Sequence, residues 1–244
     1  MAHLIHRGFL DDQMTIAGDD GHHLERVRRL RAGELITVGD GEGRWREYDI
    51  ESTSPGTLRV RASSDLRVEP ELTPRLSIAL TPTKGGRPDA IAAHLTELGV
   101  DRLLPVVSAR AVVRWRRDDR APIDRLTRIV REAAMQCRRA RLPAIEEVTP
   151  LSDLAGRPGL VVADRDGVPA PDLPDPGPEG WLVIVGPEGG FEAPEVQELG
   201  AVQRLRLGPH ILRSETAALA AAGALSFRRS AVGDHGGWAN SPHL

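Results

Sequence analysis

Three short stretches hold the residues whose types and spacing suit chemistry: VGPEGGF at 185–191, LGPHILRSETA at 207–217 and TPTKGGR at 81–87. The first two each begin a loop with a Gly-Pro pair directly after an apolar run. Glycine lets backbone approach a ligand closely, and proline stiffens the turn. Such loops after strands usually cradle phosphate through backbone N–H groups and a lysine. Here Glu188 sits at the centre of the loop, no lysine accompanies it, and a phosphate would meet like charge. The loop also fits neither G-x-x-x-x-G-K-[ST] nor G-x-G-x-x-G. Singly, each Gly-Pro reads more readily as a tight strand-to-helix turn. Two of them near one sheet edge point to a binding site.

The elements that must position these loops alternate. Strand-like runs RLSIALTP, RLLPVVS, AVVRW, GLVVADRDG, WLVIVG and VQRLRLG are interleaved with helix-like GGRPDAIAAHLTELGV, APIDRLTRIVREAAMQCRRARL, APEVQELGA and SETAALAAAGALSFRR. That alternation predicts a mostly parallel sheet with helices on both faces. Ligands of such sheets bind outside the carboxyl ends of the strands, where all three loops fall. Ser214 and Thr216 are candidate caps of the last helix, whose Ala-rich face suits close packing. Residues 4–72 read as short strands with one helix in DDGHHLERVRRL, capped by Asp19 or Asp20 and apolar at Leu24, Val27 and Leu30. A small β-barrel is expected there, then a linker at 68–75 with two prolines. The tail DHGGWANSPHL is expected to be flexible. A phosphate-free, cationic adenosine-type ligand suits the Glu188 loop, and S-adenosylmethionine meets that description without being singled out by it.

The totals exclude several classes. Aromatic residues are 3% of the chain, so stacking platforms for bases do not dominate any surface. The single cysteine, Cys137, excludes an intrachain disulfide and fits a reducing, cytoplasmic setting. No apolar run approaches the roughly 20 residues of a membrane span. His3, His6, His22 and His23 lack completing ligands at a metal spacing, and no metal is expected. Net charge is −3, yet it is unevenly spread: 11 Lys/Arg against 14 Asp/Glu in residues 1–75, 14 against 9 in 76–150, and 7 against 12 in 151–244. The basic centre suits a localised anionic partner, and an Arg-rich solvated helix face accounts for it equally well.

VGPEGGFEAPEV followed by LGPHILRSETAAL resembles the RsmE family of 16S ribosomal RNA (uracil-N3)-methyltransferases, within the SPOUT superfamily. HHLERVRRLRAGELITVGDGEG, KGGRPDAIAAHLTELGVDRLLPVVSARAVV and REAAMQCRRARLPAI extend the resemblance over nearly the whole chain. It implies an α/β fold: a PUA-like β-barrel RNA-binding domain over 1–72, a SPOUT methyltransferase domain with a deep trefoil knot over 73–233, and a C-terminal tail at 234–244. It also implies a homodimer. S-adenosylmethionine would be held by Leu80, Thr81, Ala163, Asp164, Val185, Gly186, Pro187, Glu188, Gly189, Gly190, Leu207, Gly208, Ile211, Leu212, Thr216 and Ala217. The chain departs from the family's usual Gln-Lys at Ala93-His94, from Glu-Arg at Ala109-Arg110, and from Ser at Glu192.

The reaction so implied is methyl transfer to N3 of a uridine in 16S rRNA, free or within the small subunit. N3 must lose its imide proton, so the site must stabilise developing negative charge. Arg213 is the first candidate for that task, with an ion pair to Glu215 as its alternative use. Glu215 and Glu188 are candidates for orientation or as general base. Candidate RNA contacts are Arg7, His23, Arg26, Arg29, Lys84, Arg87, Arg110, Gln136, Arg138 and Arg139, with Arg28, Arg31, Arg131 and Arg141 in the same basic clusters. Two other readings stand beside this one: a SPOUT ribose 2′-O-methyltransferase, and a non-catalytic ribosome-assembly factor. An NAD-type oxidoreductase lacks its glycine fingerprint.

Overall fold

The computed structural model describes residues 1–6, 8–83, 87–200 and 202–232. Arg7, Lys84 and the tail at 234–244 lie outside these residues, as does the side chain of Arg87. The chain divides into two compact units, Met1–Glu71 with Arg131–Leu142, and Leu72–Val130 with Pro143–Leu244.

The first unit is a six-stranded sheet ordered β1 (Ala2–Ile5), β3 (Leu35–Gly39), β4 (Arg44–Ser54), β5 (Thr57–Ala62) and β2 (Gln13–Ile16), with β6 (Arg67–Val68) on β4. Alternating residues of these strands turn Leu4, Ile16, Ile36, Val38, Tyr48, Ile50, Leu58 and Val60 into one core. The expected helix is α1 (Gly18–His22), which continues as a π-helical turn over His23–Val27. Its N-cap is Ala17, without a side-chain cap, so neither Asp19 nor Asp20 serves. Gly21 lies so close to the β4–β5 hairpin that a Cβ would stand 2.3 Å from Gly56 O, which makes a side chain there impossible. Leu24 is buried as expected, whereas Val27 is exposed because the π turn rotates it off the apolar side. The start of the expected linker is an edge strand, with Glu69 accepting a hydrogen bond from Ala140 N.

His3 is buried in this unit, with Nδ1 2.7 Å from Thr37 Oγ1. Burial pushes its imidazole down to about 4, and nearby Arg138 acts the same way against a backbone hydrogen bond at Arg139. The unfolded state therefore binds the proton first as pH falls below 6.5. Stability is fully present above that value and declines down to about pH 4, by about 3 kcal/mol. Urea midpoints measured from pH 7 to 4 should show this slope, and His3→Gln should flatten it.

The second unit is built on a parallel sheet. Its order is β10 (Thr149–Pro150), β8 (Arg102–Val107), β7 (Leu76–Leu80), β12 (Trp181–Val185), β11 (Leu160–Pro169) and β13 (Gln203–Arg206), with β9 (Ala144–Ile145) on β8. Its helices are α2 (Arg87–Glu97), α3 (Arg120–Cys137), α4 (Ala193–Leu199) and α5 (Ser214–Val232); α3 from Arg131 onward groups with the first unit. Alternate strand residues feed two cores. Ile78, Val161, Val183 and Leu205 pack with Ile91, Leu95 and the small face Ala218, Ala221, Ala222 and Leu225 of α5. Ala79, Val162 and Ile184 pack on the other side with Leu151, Leu154 and Leu199. Helices therefore cover both faces, as the alternation predicts.

AVVRW is not a strand. Residues 111–115 form an irregular loop in which Val112 is exposed, Trp115 packs on the main core, and Arg114 bonds Ala109 O. Trp115 is the residue that reaches the core, and no described strand pairs with the segment. No helix among the described residues is long and apolar enough to cross a membrane.

Candidate active site

The carboxyl edge of the second sheet carries a cavity of about 420 Å³, within the range of about 300–1,000 Å³ usual for small-molecule sites. Three segments wall it. The loop after β12 contributes Gly186, Pro187, Glu188, Gly190 and Phe191. The loop after β13 contributes Leu207, Gly208, His210, Ile211 and Leu212, and α5 adds Ser214 and Ala217. The end of β11 contributes Val162, Ala163, Asp164 and Arg165.

Each wall is held by local chemistry. The loop after β12 turns through Gly190, whose φ is +67° and whose N–H bonds Pro187 O at 2.8 Å. The ring of Phe191 folds back against Gly186, where a Cβ would lie 3.2 Å from it. Glu188 Oε1 accepts a hydrogen bond from Ser214 Oγ at 3.3 Å, tying this loop to the first turn of α5. Glu192 stands at the N-cap of α4, where its N–H donates to Glu195 Oε2 at 2.8 Å. Glu195 Oε1 also accepts from Ala109 N at 2.7 Å, and Arg110 donates to Gly189 O at 2.7 Å. The β8 loop and the β12 loop are thereby clasped together.

On the third wall, β11 shifts register between Ala163 and Val168. The pairing is interrupted over the intervening residues, as strands often are beside functional sites. Asp164 pairs there with Arg204 of β13 at 3.0 Å. Two acids, Asp164 and Glu188, and two guanidinium groups, Arg165 and Arg204, thus line the cavity together. That balance is wrong for a phosphate cradle and right for a zwitterionic or cationic ligand.

Most sequence-expected cofactor residues meet at this cavity. Four do not: Leu80 packs into the main core, Thr81 is buried, Gly189 faces Arg110, and Thr216 lies exposed on α5 outside the lining. Ser214 spends its hydroxyl on Glu188 instead of on a helix cap. Arg213 and Glu215 flank the cavity without lining it, and no ion pair joins them. Val162, Arg165, Phe191, Val196, Arg204, Leu205 and His210 line the cavity without having been expected. The GLVVADRDG run carried a signal in its clustered charges and its glycine.

The basic candidates fall into two groups. His23, Arg26, Arg28, Arg29 and Arg31 are exposed, without ion pairs to described residues. Gln136 is exposed as well. Arg131 is tied to Asp20 and Ile5 O, and Arg141 to Glu69 O and Glu71. Arg139 is 8% exposed, so the fold turns it inward, near Glu69. Arg138 reaches Met1 O, and Arg110 is used on the β12 loop. Among the described residues no cluster of three metal ligands occurs.

A parallel α/β sheet with a cavity at its carboxyl edge is the arrangement in which nucleotide- and cofactor-dependent proteins hold their ligands. The family model for an RNA methyltransferase domain matches residues 70–226, and that for an RNA methyltransferase PUA domain matches 16–63. The chain belongs to the ribosomal RNA small subunit methyltransferase E family. It is 34% identical over 232 residues to the Mycobacterium tuberculosis (strain CDC 1551 / Oshkosh) member, covering 88% of this chain and 87% of that one. The Bacillus subtilis (strain 168) member is 29% identical over 231 residues, with 88% and 90% covered. The structure of ribosomal RNA small subunit methyltransferase E from Neisseria gonorrhoeae bound to S-adenosyl methionine superposes with a TM-score of 0.82 at 25% identity, over 93% of this chain and 98% of that one.

Proposed function

We propose that the protein methylates N3 of a uridine in 16S ribosomal RNA, with S-adenosylmethionine in the 420 Å³ cavity. The carrying observation is the chemistry of that cavity. Gly208 lines it, and a Cβ there would meet nothing within 4 Å, leaving room for a ligand against bare backbone. Val162, Val185, Leu205 and Leu207 offer an apolar bed for a purine, and Asp164 and Glu188 favour a cationic group. When bound, S-adenosylmethionine supplies an electrophilic methyl on a positively charged sulfur.

The chain's own residues orient and exclude. Phe191 and Ile211 shape the mouth, and the Glu188–Ser214 bond holds two walls at fixed spacing. Arg213, exposed at the head of α5 without a side-chain partner among the described residues, stabilises charge developing on a uracil carbonyl. The exposed arginines at 26–31 hold phosphates of the RNA.

In this reading residues 1–72 are the PUA-like barrel and 73–233 the SPOUT domain. Support for a knotted chain end comes from its route: β13 lies beyond β11 at the sheet edge, yet α5 returns to pack on β7 and β12. Support for a homodimer comes from Ile211 and Phe227, which are 86% and 77% exposed. The enzyme works in the cytoplasm, where its RNA is.

The decisive experiment is nucleoside analysis of 16S rRNA from cells lacking the protein. Loss of one 3-methyluridine is expected. Loss of a 2′-O-methylated nucleoside would show a ribose methyltransferase. Unchanged rRNA together with no S-adenosylmethionine binding by calorimetry would show an assembly factor. Gly208→Ala tests the cavity separately. Its Cβ enters ligand space at no cost to the fold, so calorimetry should show roughly 10-fold or more weaker cofactor binding, about 1.4 kcal/mol, at unchanged melting temperature.

A further inference from the structure

The chain that leaves β8 carries an unbalanced charge. Residues 109–117 hold four arginines, Arg110, Arg114, Arg116 and Arg117, and no acidic residue. All four are exposed. The backbone beneath them is nevertheless braced. Ala111 is buried, and its N–H donates to Ser108 O at 3.1 Å. Arg114 Nη2 returns to Ala109 O at 2.9 Å, and Trp115 packs against the main core. Asp119 Oδ2 accepts from Arg116 N at 2.7 Å, and Asp119 N donates back to Arg116 O at 3.0 Å. A loop held in this way loses little further freedom when a ligand binds it.

The same loop is fastened to the cofactor site. Ala109 N donates to Glu195 Oε1, and Arg110 Nη1 donates to Gly189 O, both at 2.7 Å. Gly189 lies between Glu188 and Gly190, which both line the cofactor cavity. Arg110 is thereby committed to the protein, and the other three arginines are not. Among the described residues Arg114 meets no carboxylate. Arg116 and Arg117 meet Asp118 at 3.3 Å and Asp153 at 3.8 Å, in pairs that stay open to solvent. Exposed pairs of this kind contribute little and are readily exchanged for a stronger partner. None of the three arginines lines the cofactor cavity.

We propose that Arg114, Arg116 and Arg117 hold phosphates of the RNA strand next to the target uridine, so that the catalytic unit grips its own substrate; this rests on the function proposed above. Guanidinium forks match phosphate with two parallel hydrogen bonds. A base that leaves its stack stays joined to its backbone, so the phosphates on either side come to the cofactor site with it. A loop fastened to the cofactor loop is placed to meet them. Contacts to phosphate position the strand without reading its sequence. The three arginines therefore act on binding and register, and the methyl transfer itself proceeds without them.

The test uses the whole protein, small subunits from cells lacking it, and radiolabelled S-adenosylmethionine over a series of salt concentrations. Arg114→Gln, Arg116→Gln and Arg117→Gln are combined in one variant, and Arg114→Lys, Arg116→Lys and Arg117→Lys in another. The glutamine variant is expected to raise KM for subunits by roughly 10-fold to 100-fold at about 0.15 M salt. Its kcat, cofactor Kd and melting temperature should be unchanged. Each phosphate contact on a single strand adds about 0.7 to the salt slope, so log(kcat/KM) should fall less steeply with log salt, by about 2. The lysine variant keeps the charges and should keep most of that slope. Direct binding to protein-free 16S rRNA should show the same change. Unchanged KM and slope overturn the proposal, as does a loss of kcat at unchanged KM. A loss on subunits that is absent with protein-free rRNA also overturns it, since the partner would then be an acidic ribosomal protein. Wild-type protein that leaves uridine N3 unmethylated overturns the function proposed above, while the rRNA-binding slopes decide separately whether these arginines hold phosphate.

Discussion

Arg213→Ala is expected to lower kcat for rRNA methylation on the order of 10²-fold while leaving S-adenosylmethionine affinity unchanged. The side chain is exposed, has no partner among the described residues, and is absent from the cavity lining. Its removal therefore costs the fold and the cofactor little. Its chain neighbours Leu212 and Ser214 both line the cavity, and the proposed function puts the arriving base beside them. A group that acts only on charge in the transition state lowers kcat and kcat/KM together. Arg213→Lys should recover part of the rate, since a point charge remains without the planar fork. Steady-state kinetics with calorimetry on the same samples decide it. Unchanged kcat would remove Arg213 from the chemistry.

Arg229→Ala is expected to destabilise the second unit by about 3–5 kcal/mol. Arg229 is 1% exposed near the end of α5, and its Nη1 pairs with Asp101 Oδ2 at 2.6 Å. It also donates to Gly99 O at 2.6 Å, while the same Asp101 oxygen accepts from Leu76 N at 2.9 Å. One guanidinium thus joins the last helix, the turn after α2 and the start of β7. Truncating it breaks a charge pair that is largely withdrawn from water, which costs far more than losing a surface pair. For a domain of this size the melting temperature should drop by roughly 10 °C. Asp101→Asn combined with Arg229→Met removes both charges and should recover part of the loss. Calorimetric scans of the single and double variants test this. A loss from Arg229→Ala below about 1 kcal/mol would show the pair to be unimportant.

Much of the site was legible because its signals are local. Gly-Pro pairs mark stiff turns that leave backbone bare, and both became cavity walls. Glu188 argued against phosphate from its charge alone, and the balanced acids and guanidinium groups around the cavity agree. What stayed illegible depended on distance along the chain. Arg204 reaches Asp164 across 40 residues because β13 lies beside β11 around a bulge. AVVRW had the composition of a strand, yet without a partner strand its residues became a loop. Arg139 looked like a phosphate ligand until the fold turned it inward.

By itself the sequence determined the alternation of strands and helices, the edge where a ligand sits, and the exclusion of a phosphate cradle. Each follows from periodicity, backbone freedom or charge within a few residues. The tertiary structure decided the task of Glu188, which binds Ser214 from 26 residues away and so braces two cavity walls. It also decided that Arg229 is sealed beside Asp101. These pairings depend on strand order and register, which no local pattern encodes. They come from burying both faces of one sheet at once.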